Sequence, residues 1–201
     1  MGEINIFNFK PLLEKTGCKI YVETGTGVGV CLSHMLNYNF DEYHSIDLDP
    51  KQINAAIKKF QNINVFFYND FSTEALKRIV PILKKDVPVF FFLDAHFPDA
   101  DFNGASYEET ILKFKDQAMP LWDELKIIRS ARDTSKDVFV IDDWKIYDPR
   151  HNYQYGGWEY GVVQEKAGIM SDGQKIIDLF SDTHDCHVDT NHQGFLFITP
   201  K

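Results

Sequence analysis

No stretch of this chain stays apolar for the ~20 residues that a membrane-spanning helix needs. The longest apolar run, Val87–Leu93 (VPVFFFL), is short and interrupted by Pro88, and it suits a buried strand. The N-terminus, Met1–Lys10, lacks a basic start followed by an apolar stretch, so neither a secretory leader nor a membrane partner is expected. Cysteine is scarce: Cys18, Cys31 and Cys186 are odd in number and form no Cys-x-x-Cys pair. That pattern argues against a disulfide framework or a thiolate zinc site, and it fits a reducing, cytoplasmic setting. Basic residues are outnumbered, 21 Lys and Arg against 30 Asp and Glu, for a formal net charge of -9. Such a chain repels a polyanion unless its positive charge is gathered, and Lys84-Lys85 is too small a patch for that. The expected partner is a small molecule, not nucleic acid. Repeats, linkers and low-complexity segments are absent as well.

What is present is alternation. The 201 residues are 44% hydrophobic and 25% charged, as in a soluble domain spanning 1–201. Strands are expected at Lys19–Glu23, Glu42–Leu48, Ile63–Tyr68, Val87–Leu93 and Asp137–Ile141. Helices are expected between them at Val30–Leu36, Pro50–Phe60, Ser72–Leu83 and Pro120–Ser130, with another near Gly173–Phe180. Strands alternating with helices imply parallel pairing. Two last strands, near Cys186–Asp189 and Gly194–Thr199, are joined by only a few polar residues, which allows an antiparallel hairpin but no crossover. The predicted fold is therefore a Rossmann-like, doubly wound α/β sheet, mostly parallel, with one antiparallel strand in a C-terminal hairpin. Three histidines near that hairpin, His184, His187 and His192, have no metal-ligand spacing and read as surface side chains.

The segment Tyr21–Val30 (YVETGTGVGV) sets Glu23, Gly25, Gly27 and Gly29 at every second position, between a strand and a helix. Glycines let the backbone take positive φ and come close to a ligand, although a plain tight turn would also use them. Asp47, at the end of the second strand, is placed to accept both hydroxyls of a ribose. Its neighbour Asp49 reads better as the cap of the helix that opens at Pro50. Asp70 follows the third strand, where an adenine-recognising group would lie with Phe71 beside the ring; a helix cap near Ser72 is the other reading. A dinucleotide fingerprint runs G-x-G-x-x-G, whereas this loop runs G-x-G-x-G and carries Glu23 before it. A carboxylate there would repel a pyrophosphate and suit a cation such as the ammonium of a methionine moiety. In this the sequence resembles class I methyltransferases, whose glycine loop cradles S-adenosylmethionine. The resemblance implies a cofactor set of Glu23, Gly25, Thr26, Gly27, Gly29, Asp47, Asp70 and Phe71.

Acids also follow the next two strands. Phe91–Asp101 (FFLDAHFPDAD) places Asp94 and His96 after the fourth, and Val138–Trp144 (VFVIDDW) places Asp142 and Asp143 after the fifth. In a doubly wound sheet these ends face the crevice beside the first strand. Carboxylates converging there would repel one another, and a hard divalent cation relieves that. Asp99 and Asp101 read as solvated loop residues. The pairing of LDAH with IDDW resembles metal-dependent sugar O-methyltransferases of antibiotic biosynthesis and related proteins of surface-polysaccharide clusters, as does Pro120–Ile128 (PLWDELKII). That resemblance implies magnesium held by Asp94, Asp142 and Asp143, with the general base two residues past Asp94. The base in those enzymes is often another aspartate; here the position holds His96, which is suited to proton transfer near neutrality, with a metal-ligand role or hydrogen-bonded support as the other readings.

Two aromatic segments, Phe97–Tyr107 and Tyr147–Tyr160, are long enough to be site walls or self-packed surface loops. Cover for a substrate has to come from them or from a second subunit, so a homo-oligomer is among the expected assemblies. The expected activity is S-adenosylmethionine-dependent O-methylation of a sugar-like or other small hydroxylated substrate, with divalent-metal assistance. A non-catalytic nucleotide or nucleotide-sugar binder of the same fold is the alternative.

Overall fold

The computed structural model of the protein describes residues 4–148, 154–155, 158–159, 173–191 and 193–201. In chain order the elements are α1 (Lys10–Thr16), β1 (Ile20–Thr24), α2 (Val30–Met35), β2 (Glu42–Asp47), α3 (Pro50–Lys59) and β3 (Val65–Asn69). There follow α4 (Ser72–Ile79), β4 (Val89–Leu93), α5 (Ala100–Asn103), α6 (Tyr107–Phe114), α7 (Leu121–Ala131), β5 (Val138–Ile141) and α8 (Trp144–Tyr147). A two-residue ribbon, β6 (Gln154–Tyr155) and β7 (Trp158–Glu159), precedes α9 (Gly173–Phe180), β8 (His184–Asp189) and β9 (Phe195–Pro200).

Seven strands form one sheet in the order β3-β2-β1-β4-β5-β9-β8. Pairing is parallel from β3 to β5 and antiparallel for β9 against both β5 and β8. This is the expected doubly wound sheet with its C-terminal hairpin. The antiparallel strand is not the outermost one: β9 is inserted between β5 and β8. Because β2 and β4 flank β1 on opposite sides, the chain reverses its winding there and leaves a crevice at the carboxyl ends of β1 and β4.

The central strands are buried on both faces, which is why β4 reads as an unbroken apolar run. Period-2 alternation sends Phe91 and Leu93 to one face and Phe90 and Phe92 to the other. On the first face Phe91 stacks on Phe139 with ring centroids 5.0 Å apart, and Phe180 of α9 lies 4.9 Å from Phe139. Helices α4, α7 and α9 close that layer, while α2, α3 and the segment around Phe9 close the other. Truncating one such phenylalanine to alanine typically costs about 3–5 kcal/mol, so this packing fixes the strand ends that carry the site.

Several expectations are revised. The helix at Ser72 ends at Ile79, and Val80–Ile82 tightens into a 3-10 turn, because Pro81 has no N–H to continue the ladder. The segment after β4 is not a structureless link: it contains α5, and α6 starts at Tyr107. Ser106 caps α6 in a reciprocal box with Glu109. His184 is not on the surface: it is 2% exposed, and its Nε2 lies 3.0 Å from the Asp137 carbonyl oxygen. The second aromatic segment lies, past Asp148 and apart from the ribbon backbone, outside the described residues. So does His192. Among the described residues no helix is long and apolar enough to cross a membrane.

Candidate active site

The glycine turn leaves β1 in the left-handed region, with φ +82° at Gly25 and +49° at Gly27. It is fastened to β2 at every step. The amides of Gly25 and Thr26 both donate to the Ile46 carbonyl, at 2.9 and 3.1 Å. The Gly27 amide donates to Asp47 Oδ2 at 2.8 Å, and the hydroxyls of Thr26 and Ser45 lie 2.6 Å apart. All three amides are therefore spent inside the protein. A pyrophosphate, which needs free N–H groups at such a turn, finds none at these positions. Gly29 also has positive φ, but it opens α2 against the Phe60 ring and is not on the wall of the crevice.

Glu23 lies behind the turn, not in front of it. It is 0% exposed and does not line the cavity. Its Oε2 accepts from the Tyr21 hydroxyl at 2.7 Å and its Oε1 from the Ser45 hydroxyl at 2.5 Å. Burial pushes its carboxyl up to about 7, against the lowering effect of those two donors.

The crevice is a cavity of about 390 Å³. Gly25, Thr26, Gly27, Asp47, Asp70 and Phe71 are on its wall, and so are Asp94, His96 and Asp143. Asp47 accepts amides of Gly27 and Asp49 at 2.8 Å each. Burial raises its pKa, and the two amides lower it. Asp49 caps α3 as expected, accepting from the Lys51 amide. Asp70 does not cap α4: its Oδ1 accepts the adjacent Phe71 amide at 2.8 Å, and its Oδ2 pairs with Arg78 at 2.7 Å.

At the far end, His96 Nε2 lies 2.6 Å from Asp143 Oδ2 and 3.4 Å from Asp94 Oδ1. Neither approach has hydrogen-bond alignment, so this buried nitrogen is without a hydrogen-bond partner. Burial opposes charge on His96, but the charges of Asp143 and Asp94 outweigh it and hold the imidazole well above its ordinary pKa. Burial likewise pushes Asp94 up to about 6 despite His96. For Asp143 the same burial is outweighed by His96, and its pKa is lowered.

Asp142 does not join this group. The strand pairing continues through it, its amide donating to the Leu93 carbonyl, and its side chain is 1% exposed and off the cavity wall. Burial, then the charges of Asp94 and Asp143, push its carboxyl well above the usual range. Asp143 breaks from the strand with φ +50° and turns the other way. The expected triad of Asp94, Asp142 and Asp143 is thus replaced, in space, by Asp94, His96 and Asp143. One ligand atom from each of these three lies within 4.8 Å of the others.

The segment Phe97–Tyr107, expected as a site wall or a self-packed surface loop, lies over the cavity as a strap. Phe102 of α5 comes 3.4 Å from where a side chain on Gly27 would start. Asn103 reaches Lys51 at 3.4 Å and Asp49 at 3.5 Å. Asp99 is not simply solvated: it pairs with Lys113 at 2.6 Å. The Ser106-x-x-Glu109 box was the readable signal for order in this region; nothing comparable marks Phe102.

No family model matches the chain, and no curated protein matches its sequence. Solved structures do resemble it. A methyltransferase of Podospora anserina, PaMTH1, solved with SAH, superposes with a TM-score of 0.58 at 15% identity, covering 94% of this chain and 75% of that one. The O-methyltransferase TomG of Streptomyces achromogenes, which is involved in tomaymycin synthesis and was solved with SAM, gives 0.56 at 13%, covering 95% and 77%. An O-methyltransferase of Bacillus cereus in complex with SAH gives 0.56 at 11%, covering 95% and 78%. The chain shares their fold.

Proposed function

We propose that the protein is a class I S-adenosylmethionine-dependent methyltransferase acting on the hydroxyl of a small, sugar-like acceptor. One observation carries this reading: a single cavity wall runs from the glycine turn, Asp47, Asp70 and Phe71 to Asp94, His96 and Asp143. Gly25, Thr26 and Gly27 seat the donor, Asp47 takes its ribose hydroxyls on lone pairs its amide contacts leave free, and Asp70 with Phe71 receives the adenine. The fold shared with proteins solved around SAH or SAM supports the same placement. The spent amides of the turn favour this donor over a dinucleotide.

Methyl transfer from a sulfonium leaves a neutral thioether, so the chain's task is alignment and proton removal. Asp94, His96 and Asp143 fit a divalent cation, because the partnerless His96 Nε2 and two carboxylates converge. One imidazole with two carboxylates suits manganese as well as magnesium. Such an ion, when bound, polarises the acceptor hydroxyl. Asp94 would take the proton from that hydroxyl. A second reading needs no metal: His96, kept charged by Asp143 at 2.6 Å, donates to the acceptor oxygen, and Asp94 takes the proton.

The test has two stages. Calorimetric titration should show SAH binding, and labelled S-adenosylmethionine should methylate members of a panel of hydroxylated acceptors. Binding of NAD instead of SAH removes the proposal. SAH binding with no transfer to any acceptor supports the non-catalytic alternative. Activity lost to a chelator and restored by manganese or magnesium selects the metal reading; activity that survives chelation selects the metal-free one.

A further inference from the structure

We propose that Thr26 meets the methyl donor as a hydrogen-bond acceptor, and that Glu23 imposes this polarity from behind the turn through the hydroxyl of Ser45. The inference rests on the methyltransferase reading of the cavity and assigns Glu23 and Ser45 as positioning residues that never touch the ligand.

The argument is one of proton counting. Four side chains form an unbroken buried line: Tyr21 hydroxyl to Glu23 Oε2 at 2.7 Å, Ser45 hydroxyl to Glu23 Oε1 at 2.5 Å, and Thr26 Oγ1 to Ser45 Oγ at 2.6 Å. An ionised carboxylate only accepts hydrogen bonds, and a hydroxyl has one proton to give. Tyr21 and Ser45 each give theirs to Glu23. In the Thr26–Ser45 contact the proton must therefore come from Thr26. Thr26 is on the cavity wall, and with its proton turned inward its hydroxyl offers the cavity only lone pairs. The backbone amides beside it are spent on Ile46 and Asp47. This part of the wall accepts and does not donate, which suits an ammonium or a sugar hydroxyl and refuses a phosphate.

A protonated Glu23 can instead donate to Ser45. Ser45 then donates to Thr26, and Thr26 turns its own proton into the cavity. The line thus has two directions, chosen by one buried proton. The titratable groups around it are Tyr21 on β1, Asp47 on β2, Asp94 just past β4 and Cys31 on α2. Burial, with Asp94 and Asp47 adding to it, places the change at about 7.

The experiment is calorimetric titration of SAH into the full-length wild type, Glu23→Gln, Ser45→Ala and the double variant, at pH 8.5 and at pH 6. The amide of the introduced glutamine donates to Ser45, so Glu23→Gln reverses the line and weakens SAH about tenfold at pH 8.5. In the Ser45→Ala background the same substitution changes affinity less than about twofold, because the connection is already cut. Wild-type affinity falls between pH 8.5 and pH 6, and that fall is absent in Ser45→Ala. Thr26→Val alters only the cavity end of the line and serves if Glu23→Gln does not fold; it shows the same loss and the same flat pH response. Additive effects of Glu23→Gln and Ser45→Ala, or unchanged affinity in Thr26→Val, overturn the relay while leaving the methyltransferase reading intact. A wild type that binds no SAH at either pH overturns both.

Discussion

Gly25 and Asp94 meet backbone to backbone: a Cβ added to Gly25 comes within 2.6 Å of the Asp94 carbonyl oxygen. The contact follows from the sheet. Thr24 and Leu93 are register partners on β1 and β4, and the Asp94 amide donates to the Thr24 carbonyl at 3.1 Å. The residue that opens the glycine turn and the residue that starts the acidic cluster are therefore the next pair along one ladder. The glycine turn and the acidic cluster are held together by strand pairing, with no loop between them.

This contact separates two costs of placing a side chain at a left-handed glycine. Gly25 (φ +82°) and Gly17 (φ +69°) share the backbone strain, but nothing lies within 4 Å of a Cβ on Gly17. Gly17→Ala should cost about 1 kcal/mol from strain alone. Gly25→Ala adds the collision and should cost about 2–4 kcal/mol, with weaker SAH binding. Urea unfolding of the two variants side by side reads the difference. Equal losses would mean that the β1–β4 junction yields freely.

The neighbouring acids after β5 should behave unalike. Asp143→Asn removes a group that faces the cavity and should lower turnover by about 10²–10⁴-fold while changing SAH affinity little. Asp142→Asn alters a buried carboxyl off the wall and should leave divalent-cation binding within about threefold of wild type. Cation titration and initial rates on both proteins check this. Loss of cation binding in Asp142→Asn would restore the ligand set expected from the sequence.

Why the sequence named the right neighbourhood but not every member is instructive. Strand alternation, the glycine turn and the strand-end acids are encoded by composition and spacing, and Asp47, Asp94 and Asp143 fall on the cavity for that reason. Which of two adjacent aspartates faces the cavity depends on where the extended backbone ends. Asp142 still pairs with Leu93 and Asp143 does not, a difference that no spacing shows. Glu23 looked like a ligand because it precedes the glycines. Its partners Tyr21 and Ser45 lie two residues back and on the next strand, so only the register of β1 against β2 discloses that it faces inward. His96 was legible as a base or a further ligand, but its approach to both Asp94 and Asp143 required the positions of both strand ends.

The strap formed by α5 should govern how fast the ligand leaves. Phe102 is 40% exposed yet rests over Gly27, and the segment is bounded by positive φ at Phe97, Asp99 and Gly104. Phe102→Ala removes little buried area, so stability should change by under about 0.5 kcal/mol. SAH dissociation should speed up about fivefold or more, as read by stopped-flow or surface plasmon resonance. An unchanged dissociation rate would mean that the ring covers nothing the ligand needs.

Glu124 of α7 offers a pH test of stability that is independent of catalysis. Its side chain is 1% exposed, and neither carboxyl oxygen has an aligned hydrogen-bond partner. Burial pushes its pKa up to about 7, while the hydroxyls of Ser72 and Thr24 oppose the shift without cancelling it. A carboxyl whose folded pKa lies above its unfolded value of 4.5 binds its proton more tightly in the native state. The stability it contributes is full below that unfolded value and is lost as pH rises through about 7. Wild type should therefore be more stable at pH 5 than at pH 8. Glutamine mimics the protonated acid, so Glu124→Gln should match wild type near pH 5 and exceed it by about 2 kcal/mol at pH 8. Urea unfolding midpoints at the two pH values measure both differences. A variant no more stable than wild type at pH 8 would mean that Glu124 is ionised and satisfied inside the fold.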